Sequence, residues 1–343
     1  MRSSRRPARL VARIIPILVL VAALPLSGTV RASSTGTHPH ASIIVGYLVK
    51  TLTNPYFVAM EPVAKAEASK LGVTLVYEAG KYDGDSATQT SQIDDLITRG
   101  AKAIVLIPSL SSAIVPAVRR ATAKGITVIA LDTATDPQDA ATAFFATDNY
   151  EAGILNGLWA RKLFDSNGKT PQIALLEGTP GSEVNSDRMN GFLNGFGSGF
   201  GANVKKYVVA DQVTQGDQGK GQTAMENVLT AHPNVNLVWT INEPAALGAA
   251  TAIKARGMAG KITIVSMDGG CRGIRAVRDG IINTDVMQFP AKMAKLGVDY
   301  AVQAAMGKKI PKLIDTGEIL VTKNPQPYVP WSPVSFGLAN CWG

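Results

Sequence analysis

Short apolar runs rich in β-branched residues alternate with helical stretches along most of the chain, and this alternation restricts the fold more than any other feature. Five runs occupy the first half, at 43–49, 73–77, 103–107, 126–131 and 143–146. Five more follow, at 172–176, 204–209, 237–240, 262–266 and 281–287. Such near-continuous apolar runs are typical of parallel strands buried on both faces. The sequence therefore predicts two successive α/β lobes, each a doubly wound, Rossmann-like parallel sheet.

Residues that begin and end helices separate these runs. Asn54 and Pro55 match an N-cap followed by a proline in the first helical turn. Glycine follows the predicted ends of three helices, at Gly72, Gly100 and Gly125. A left-handed glycine is a common helix stop. Pro62 falls inside the first predicted helix, where we expect a kink or a second helix start, because proline removes a helical hydrogen bond.

The first 32 residues resemble an export signal. Arginines precede an apolar run at 14–26, and Val30-Arg31-Ala32 provides a small-x-small cleavage site. The run is short for a membrane span, which needs about 20 residues, although a retained anchor stays an open alternative. We expect a cleaved signal peptide at 1–32, a flexible leader at 33–41 and a periplasmic or otherwise extracytoplasmic mature protein. Ordinary secretion and twin-arginine export both stay open.

Most of the net positive charge lies in this leader. The chain has 34 Lys and Arg against 26 Asp and Glu, and six of the arginines precede residue 33, which leaves 28 bases against the same 26 acids. Nucleic-acid binding requires a clustered basic face. The composition therefore argues against a nucleic-acid partner.

The loop after the first predicted strand contains Lys50, Asn54, Tyr56 and Phe57. Asn54 is either a plain helix cap, with two core aromatics behind it, or part of a sugar platform. Aromatic faces pack on the C–H face of a sugar ring, and an amide both donates to and accepts from hydroxyls.

Polar residues also follow three other predicted strands, as Asp132, Asn242 and Asp268. Ligands of open α/β sheets bind beyond the carboxyl ends of the strands. Carboxylates accept hydroxyl hydrogens, so this set suits a polyol ligand, although each residue could instead cap a helix.

Several other kinds of site are disfavoured. The histidines, His38, His40 and His232, are scattered, which argues against a histidine-based metal site or a Ser-His-Asp triad. The chain contains no phosphate-binding loop of the Gly-x-x-x-x-Gly-Lys-Ser/Thr type. We expect no metal and no cofactor.

The chain contains two cysteines, Cys271 and Cys341. In an exported protein such a pair usually forms a disulfide, which here would join the tail to the loop after Asp268. Two buried thiols are the alternative.

These motifs resemble the type I periplasmic sugar-binding proteins of ABC importers, a ribose- and galactose-binding-like superfamily, from residue 42 to the C-terminus. The segment 50–58 is similar to the first binding loop of the ribose-binding members, so the resemblance assigns sugar contacts to Asn54, Tyr56 and Phe57. Further contact positions of the family correspond to Asp132, Asn242, Asp268 and Gln288. Ser186 replaces a contact arginine of the family, which leaves Arg188 as the nearby basic candidate.

The resemblance also implies a hinged architecture and a transport role. Two lobes, at 42–147 plus 289–315 and at 148–288 plus 316–343, would be joined by three crossings and would close around one monosaccharide. The closed form would deliver the sugar to a membrane permease powered by a separate ATPase, without chemistry on the ligand. The resemblance further implies a monomer and allows recognition by a chemoreceptor.

The closest resemblance within the family is to fructose-type binders, which share strings such as 79–85, 216–227, 268–271 and 341–343. Lys50 stands where ribose-binding members have serine, and Gly216 stands where a second-lobe phenylalanine covers the ring, so Gly216 should leave extra room. We expect fructose as the ligand. Alternatives are ribose, mannose or inositol, a secreted glycosidase that uses Asp132 and Asp268, or a regulator related to the lactose repressor.

Overall fold

The computed structural model describes residues 43–197 and 201–343. The predicted signal peptide at 1–32 and leader at 33–41 lie outside the described residues, as do His38 and His40. No helix in the described ranges is both long enough and apolar enough to cross a bilayer.

The first half of the chain alternates strands and helices as predicted. Its elements are β1 (Ile44–Val49), α1 (Pro55–Lys70), β2 (Thr74–Ala79), α2 (Ser86–Thr98), β3 (Ala103–Leu106), α3 (Val115–Ala123), β4 (Thr127–Leu131) and β5 (Ala143–Ala146). The second half continues with α4 (Asn149–Asn167), β6 (Ile173–Glu177), α5 (Glu183–Gly197), β7 (Val208–Val213), α6 (Gln218–Ala231), β8 (Leu237–Thr240), α7 (Glu243–Ala255), β9 (Thr263–Asp268), α8 (Cys271–Asp279) and β10 (Thr284–Met287). The chain ends with α9 (Pro290–Ala305), β11 (Leu313–Asp315), β12 (Ile319–Thr322) and α10 (Val334–Asn340).

These strands form two six-stranded sheets. The first has the order β11-β5-β4-β3-β1-β2 and is parallel throughout. The second has the order β12-β10-β9-β8-β6-β7 and is parallel except for the β10–β12 pair. The chain passes between the sheets three times, after β5, after β10 and after β11. The predicted architecture of two α/β lobes is confirmed.

Local differences from the sequence prediction have physical causes. The strand predicted at 204–209 begins only at Val208, because residues Gly201–Tyr207 form a 3₁₀ segment in which Val204 is buried and Lys205 is exposed. No second helix start occurs at Pro62, since α1 continues through it. Pro62 has no N–H to donate to the carbonyl of Val58, a residue that is 45% exposed on the surface of α1.

Glycines bring α4 and α5 into close contact in the second lobe. A Cβ atom on Gly153 would lie 2.3 Å from the carbonyl oxygen of Arg188, and one on Gly191 would lie 2.1 Å from that of Tyr150. Neither position tolerates a side chain without separation of the helices. This approach fixes the turn of α5 that carries Arg188 beside the first residues of α4.

Candidate functional site

The carboxyl ends of the two sheets face each other across an inner cavity. The first lobe contributes Asn54, Tyr56, Phe57, Asp83 and Asp132 to its lining. The second contributes Arg188, Asn242 and Asp268, with Gly178, Thr179, Ser182, Val184, Asn185, Gly216 and Ile241. The free space is about 30 Å³, which admits only one or two water molecules. A monosaccharide is larger than this space, so a sugar is accommodated only if the lobes move apart from their positions here.

Asn54 and the two aromatics sit where β1 leads into α1. The Oδ1 atom of Asn54 accepts a hydrogen bond of 3.0 Å from the backbone N–H of Tyr56, and Pro55 occupies the first helical turn. The rings of Tyr56 and Phe57 meet edge to face at 5.5 Å and are almost fully buried. Asn54 is thus a helix cap and at the same time a residue of the cavity wall.

Lys50 is buried and links the two lobes. Its Nζ donates to Ser182 Oγ at 3.2 Å and lies 4.0 Å from Asp132 Oδ2. Lys50 and Asp132 therefore form a long, buried ion pair. Asp132 and Ser182 line the inner cavity but Lys50 does not, so Lys50 acts on the cavity mainly through these two neighbours.

Asp132 follows β4 with a positive φ of 60°. Its Oδ2 accepts from Thr133 Oγ1 at 2.9 Å, and its backbone oxygen accepts from Asn149 Nδ2 at 3.2 Å. It caps no helix, since the next helical turn starts at Gln138. The helix-cap alternative is therefore wrong for Asp132.

Arg188 connects Asn149, at the first crossing between the lobes, to the second-lobe wall of the cavity. Its Nε donates to Asn149 Oδ1 at 2.8 Å, and its Nη1 donates to the backbone oxygen of Ile241 at 3.0 Å. The same Nη1 lies 3.5 Å from Asp268 Oδ1. Its guanidinium therefore partly balances the charge of Asp268, a carboxylate that is almost fully buried.

Asp268 ends β9 with φ at 134°, and Oδ1 accepts from Gln288 Nε2 at 2.8 Å. Burial, with further contributions from Asp285 and Asp132, raises the pKa of Asp268 to about 7, although Arg188 opposes the shift. Asp268 is not a helix cap either, because Gly270 precedes α8. Gln288 donates this hydrogen bond to Asp268 but does not line the inner cavity. The assignment of Gln288 as a direct sugar contact therefore stays a prediction.

Asn242 caps α7 through Oδ1, which accepts from the N–H of Ala245 at 3.1 Å. Its Nδ2 donates to the backbone oxygen of Gly216 at 3.1 Å. A Cβ atom on Gly216 would lie 2.6 Å from Asn242 Nδ2, and φ of Gly216 is 64°. The extra room expected at Gly216 is therefore filled by the Asn242 amide.

Other polar residues of the wall were not predicted from the sequence. Asp83 accepts a hydrogen bond of 3.0 Å from Thr179 Oγ1 across the two lobes. Burial raises its pKa, although Lys50 opposes the shift. Asn185 Oδ1 accepts from the N–H of Gly178 at 2.6 Å. Asp83 and Thr179 follow β2 and β6, so the strand-end rule that identified Asp132 applies to them as well.

An outer cavity of about 360 Å³ adjoins the inner one. The two share Asn54, Asp83 and Gly216 in their walls. The outer wall also contains Tyr82, Lys220, Pro244, Arg272, Cys271 and Trp342.

The predicted disulfide between Cys271 and Cys341 is formed, with the Cα atoms 4.9 Å apart. Within the described ranges, no cluster of three or more His, Cys, Asp or Glu side chains is arranged to hold a metal ion.

Comparisons with known proteins agree with this architecture. A family model described as a periplasmic binding protein domain matches residues 45–309. The ribose import binding protein of Bacillus subtilis (strain 168) is 32% identical over 297 residues, covering 87% of this chain and 93% of that protein.

Two solved structures are also similar. A periplasmic solute-binding protein of an ABC transporter from Actinobacillus succinogenes, with bound D-allose, has a TM-score of 0.72 and 27% identity, covering 82% of this chain and 98% of its own. A carbohydrate transporter solute-binding protein from Agrobacterium radiobacter, in complex with D-arabinose, has a TM-score of 0.74 and 27% identity, covering 83% of this chain and 95% of its own.

Proposed function

From the premise that the chain belongs to the periplasmic binding protein family and is the sugar-binding component of an ABC importer, we propose that one monosaccharide binds in the inner cavity. Family membership places the protein outside the cytoplasm and makes it a binding protein, not an enzyme. Its expected partners are a permease and the ATPase that powers it.

The observation that carries the proposal is the meeting of Asp132 and Asp268 from opposite lobes in one buried cavity with aromatic residues. Each carboxylate accepts hydroxyl hydrogens, Asn54 and Asn242 add amide groups, and Tyr56 supplies an apolar surface for the C–H face of a ring. These groups come from separate lobes, so a sugar satisfies all of them only in the closed state.

A hinge motion of the lobes follows from the size of the inner cavity. We propose that the lobes are 42–147 plus 289–315 and 148–288 plus 316–343. The membership of β1 to β5 and β11 in one sheet, and of β6 to β10 and β12 in the other, supports this division. Opening at the three crossings admits the sugar, and closure buries its hydroxyls against partners, which makes binding selective.

We propose that the signal peptide is cleaved after Ala32 and that the mature protein is a monomer. We also propose that a chemoreceptor can recognise the same closed form that delivers sugar to the permease. Mass spectrometry of exported protein tests the cleavage site, because an intact N-terminus would show that the segment is retained. Light scattering tests the monomer.

We propose fructose as the sugar, and this finer assignment depends on the shared loop strings and on Lys50. One relative described above is named for ribose, and the two solved structures have D-allose and D-arabinose bound, so aldoses are the direct competitors. The amine of Lys50 fixes Ser182 and Asp132 at the cavity, where a serine would be too short to reach both.

Calorimetry against fructose, ribose, allose, arabinose, mannose, galactose and myo-inositol tests the function and its specificity. We expect binding at one site, tightest for fructose, with the sugar recovered unchanged. Absence of binding to every sugar would refute the proposed function, and tighter ribose or allose binding would refute only the fructose assignment. Product formation would instead favour a hydrolase.

Lys50→Ser tests the role of the lysine in specificity. Fructose affinity should fall more than ribose affinity in this variant. Lys65→Ser serves as a control, since Lys65 is exposed on α1 and pairs only with Glu61. An unchanged ratio of the two affinities in Lys50→Ser would show that Lys50 has no part in the choice.

A further inference from the structure

The penultimate residue, Trp342, is held firmly in the second lobe. The neighbouring Cys341 forms the disulfide with Cys271 at the start of α8. The backbone oxygen of Trp342 accepts a 2.8 Å hydrogen bond from the N–H of Cys271, and its backbone pairs with Gly270 in a short parallel bridge. The C-terminus is therefore attached immediately after Asp268 by a covalent bond and by backbone hydrogen bonds.

The indole of Trp342 contacts one sugar-site residue from each lobe. Its Nε1 donates a 3.0 Å hydrogen bond to the backbone oxygen of Asp268. Its ring meets the ring of Tyr56 edge to face, with centroids 5.4 Å apart and an angle of 80° between the planes. The ring also packs at the border of the first lobe's apolar core. A side chain anchored in the second lobe thus reaches across to the first.

These two contacts respond differently to opening. The hydrogen bond to Asp268 lies within the second lobe and survives a separation of the lobes. The Tyr56 contact joins the lobes and is lost when they separate. The indole therefore stabilises the closed state relative to the open one.

We propose that Trp342 is a positioning residue that acts as a latch on the closed cleft, and that the Cys271–Cys341 disulfide holds the latch in place. This inference rests on the proposed sugar-binding function and deepens it. Trp342 acts through Tyr56 and the backbone of Asp268, both of which line the inner cavity. Since the contact exists only after closure, it slows sugar release and leaves sugar entry almost unchanged.

Stopped-flow kinetics with the sugar that binds the parent protein most tightly tests the latch. Trp342→Ala should release the sugar about tenfold faster, a change of the size expected for a lost aromatic pair, while the association rate stays within about twofold of the parent. Trp342→Phe retains a ring opposite Tyr56 and should restore most of the slow release. The double variant Cys271→Ser, Cys341→Ser should behave like Trp342→Ala.

Trp331→Ala is the matched control, because Trp331 belongs to the same C-terminal segment but is 45% exposed. It should release sugar at the parent rate. If Trp342→Ala binds and releases sugar like the parent, or if Trp331→Ala shows the same acceleration, the latch is refuted while the sugar-binding function stands.

A second readout requires no sugar. Small-angle X-ray scattering of the ligand-free full chain should give a larger radius of gyration for Trp342→Ala than for the parent or Trp331→Ala, because loss of the contact favours the open state. Equal radii for all three would overturn the latch. This measurement tests the latch even if calorimetry refutes the proposed function.

Discussion

Sugar affinity should depend on pH through Asp268. In the closed state, burial raises the pKa of this carboxyl to about 7, so near neutral pH the closed protein without sugar holds it partly in the neutral acid form. A carboxylate accepts hydroxyl hydrogens more strongly than a carboxylic acid does. Sugar binding should therefore favour the ionised form and release the proton, and affinity should rise with pH.

The magnitude follows from the pKa. If only the ionised form binds sugar, the apparent dissociation constant is about 1.1 times its limiting value at pH 8 and about 11 times at pH 6. Affinity should thus fall about tenfold between pH 8 and pH 6, or about 1.4 kcal/mol. Asp83 also lines the cavity with a raised pKa, so the variant Asp268→Asn is needed to isolate Asp268.

Calorimetry between pH 5.5 and 8.5 measures this dependence. Asp268→Asn should bind more weakly at pH 8 and should lose most of the slope. Asp94→Asn should keep the parent slope, since the side chain of Asp94 is about half exposed, pairs with Arg120 and lines neither cavity. A flat profile in the parent, or the same slope in Asp268→Asn, would refute the assignment of this titration to Asp268.

Three other perturbations follow from the same contacts. Asp132→Ala should weaken sugar binding by about 2 to 4 kcal/mol with little change in melting temperature, because the hydroxyls lose a charged acceptor, and unchanged affinity by calorimetry would contradict this. Thiol titration of the denatured, unreduced protein should find no free cysteine, and reduction should lower the melting temperature without abolishing binding, since the disulfide closes a 70-residue separation and contributes about 4 kcal/mol. Gly216→Ala and Gly72→Ala should each lose about 1 kcal/mol of stability or more, because both glycines have positive φ, but only Gly216→Ala should also lose sugar affinity, since a Cβ atom there meets the Asn242 amide.

The alternation of strands and helices was predictable because each buried parallel strand is a continuous apolar run bounded by a helix stop. Elements without that signal escaped prediction. β11 has only three residues, of which Leu313 is 63% exposed, and it forms a strand only because β5 lies beside it. The boundary of β7 was misplaced because Val204 and Val208 are both apolar, although only Val208 pairs with β6.

Parts of the site were also predictable. Asp132 and Asp268 follow buried strands, and the parallel sheet brings such residues to one edge. Asp83 was not predicted as a site residue because Gly84 follows it, and an Asp-Gly pair is typical of an ordinary turn. The local sequence does not distinguish such a turn from a cavity wall. Trp342 escaped for another reason: its partners Tyr56 and Asp268 are distant in sequence, and only the folded tail brings the three together.

The central claim is that one sugar occupies the inner cavity between the lobes, and a crystal structure of the sugar complex tests it most directly. We expect a single ring against Tyr56, with hydroxyls donating to Asp132 and Asp268 from opposite lobes and Trp342 in contact with Tyr56. A sugar bound instead in the 360 Å³ outer cavity, without contact to either carboxylate, would contradict the account.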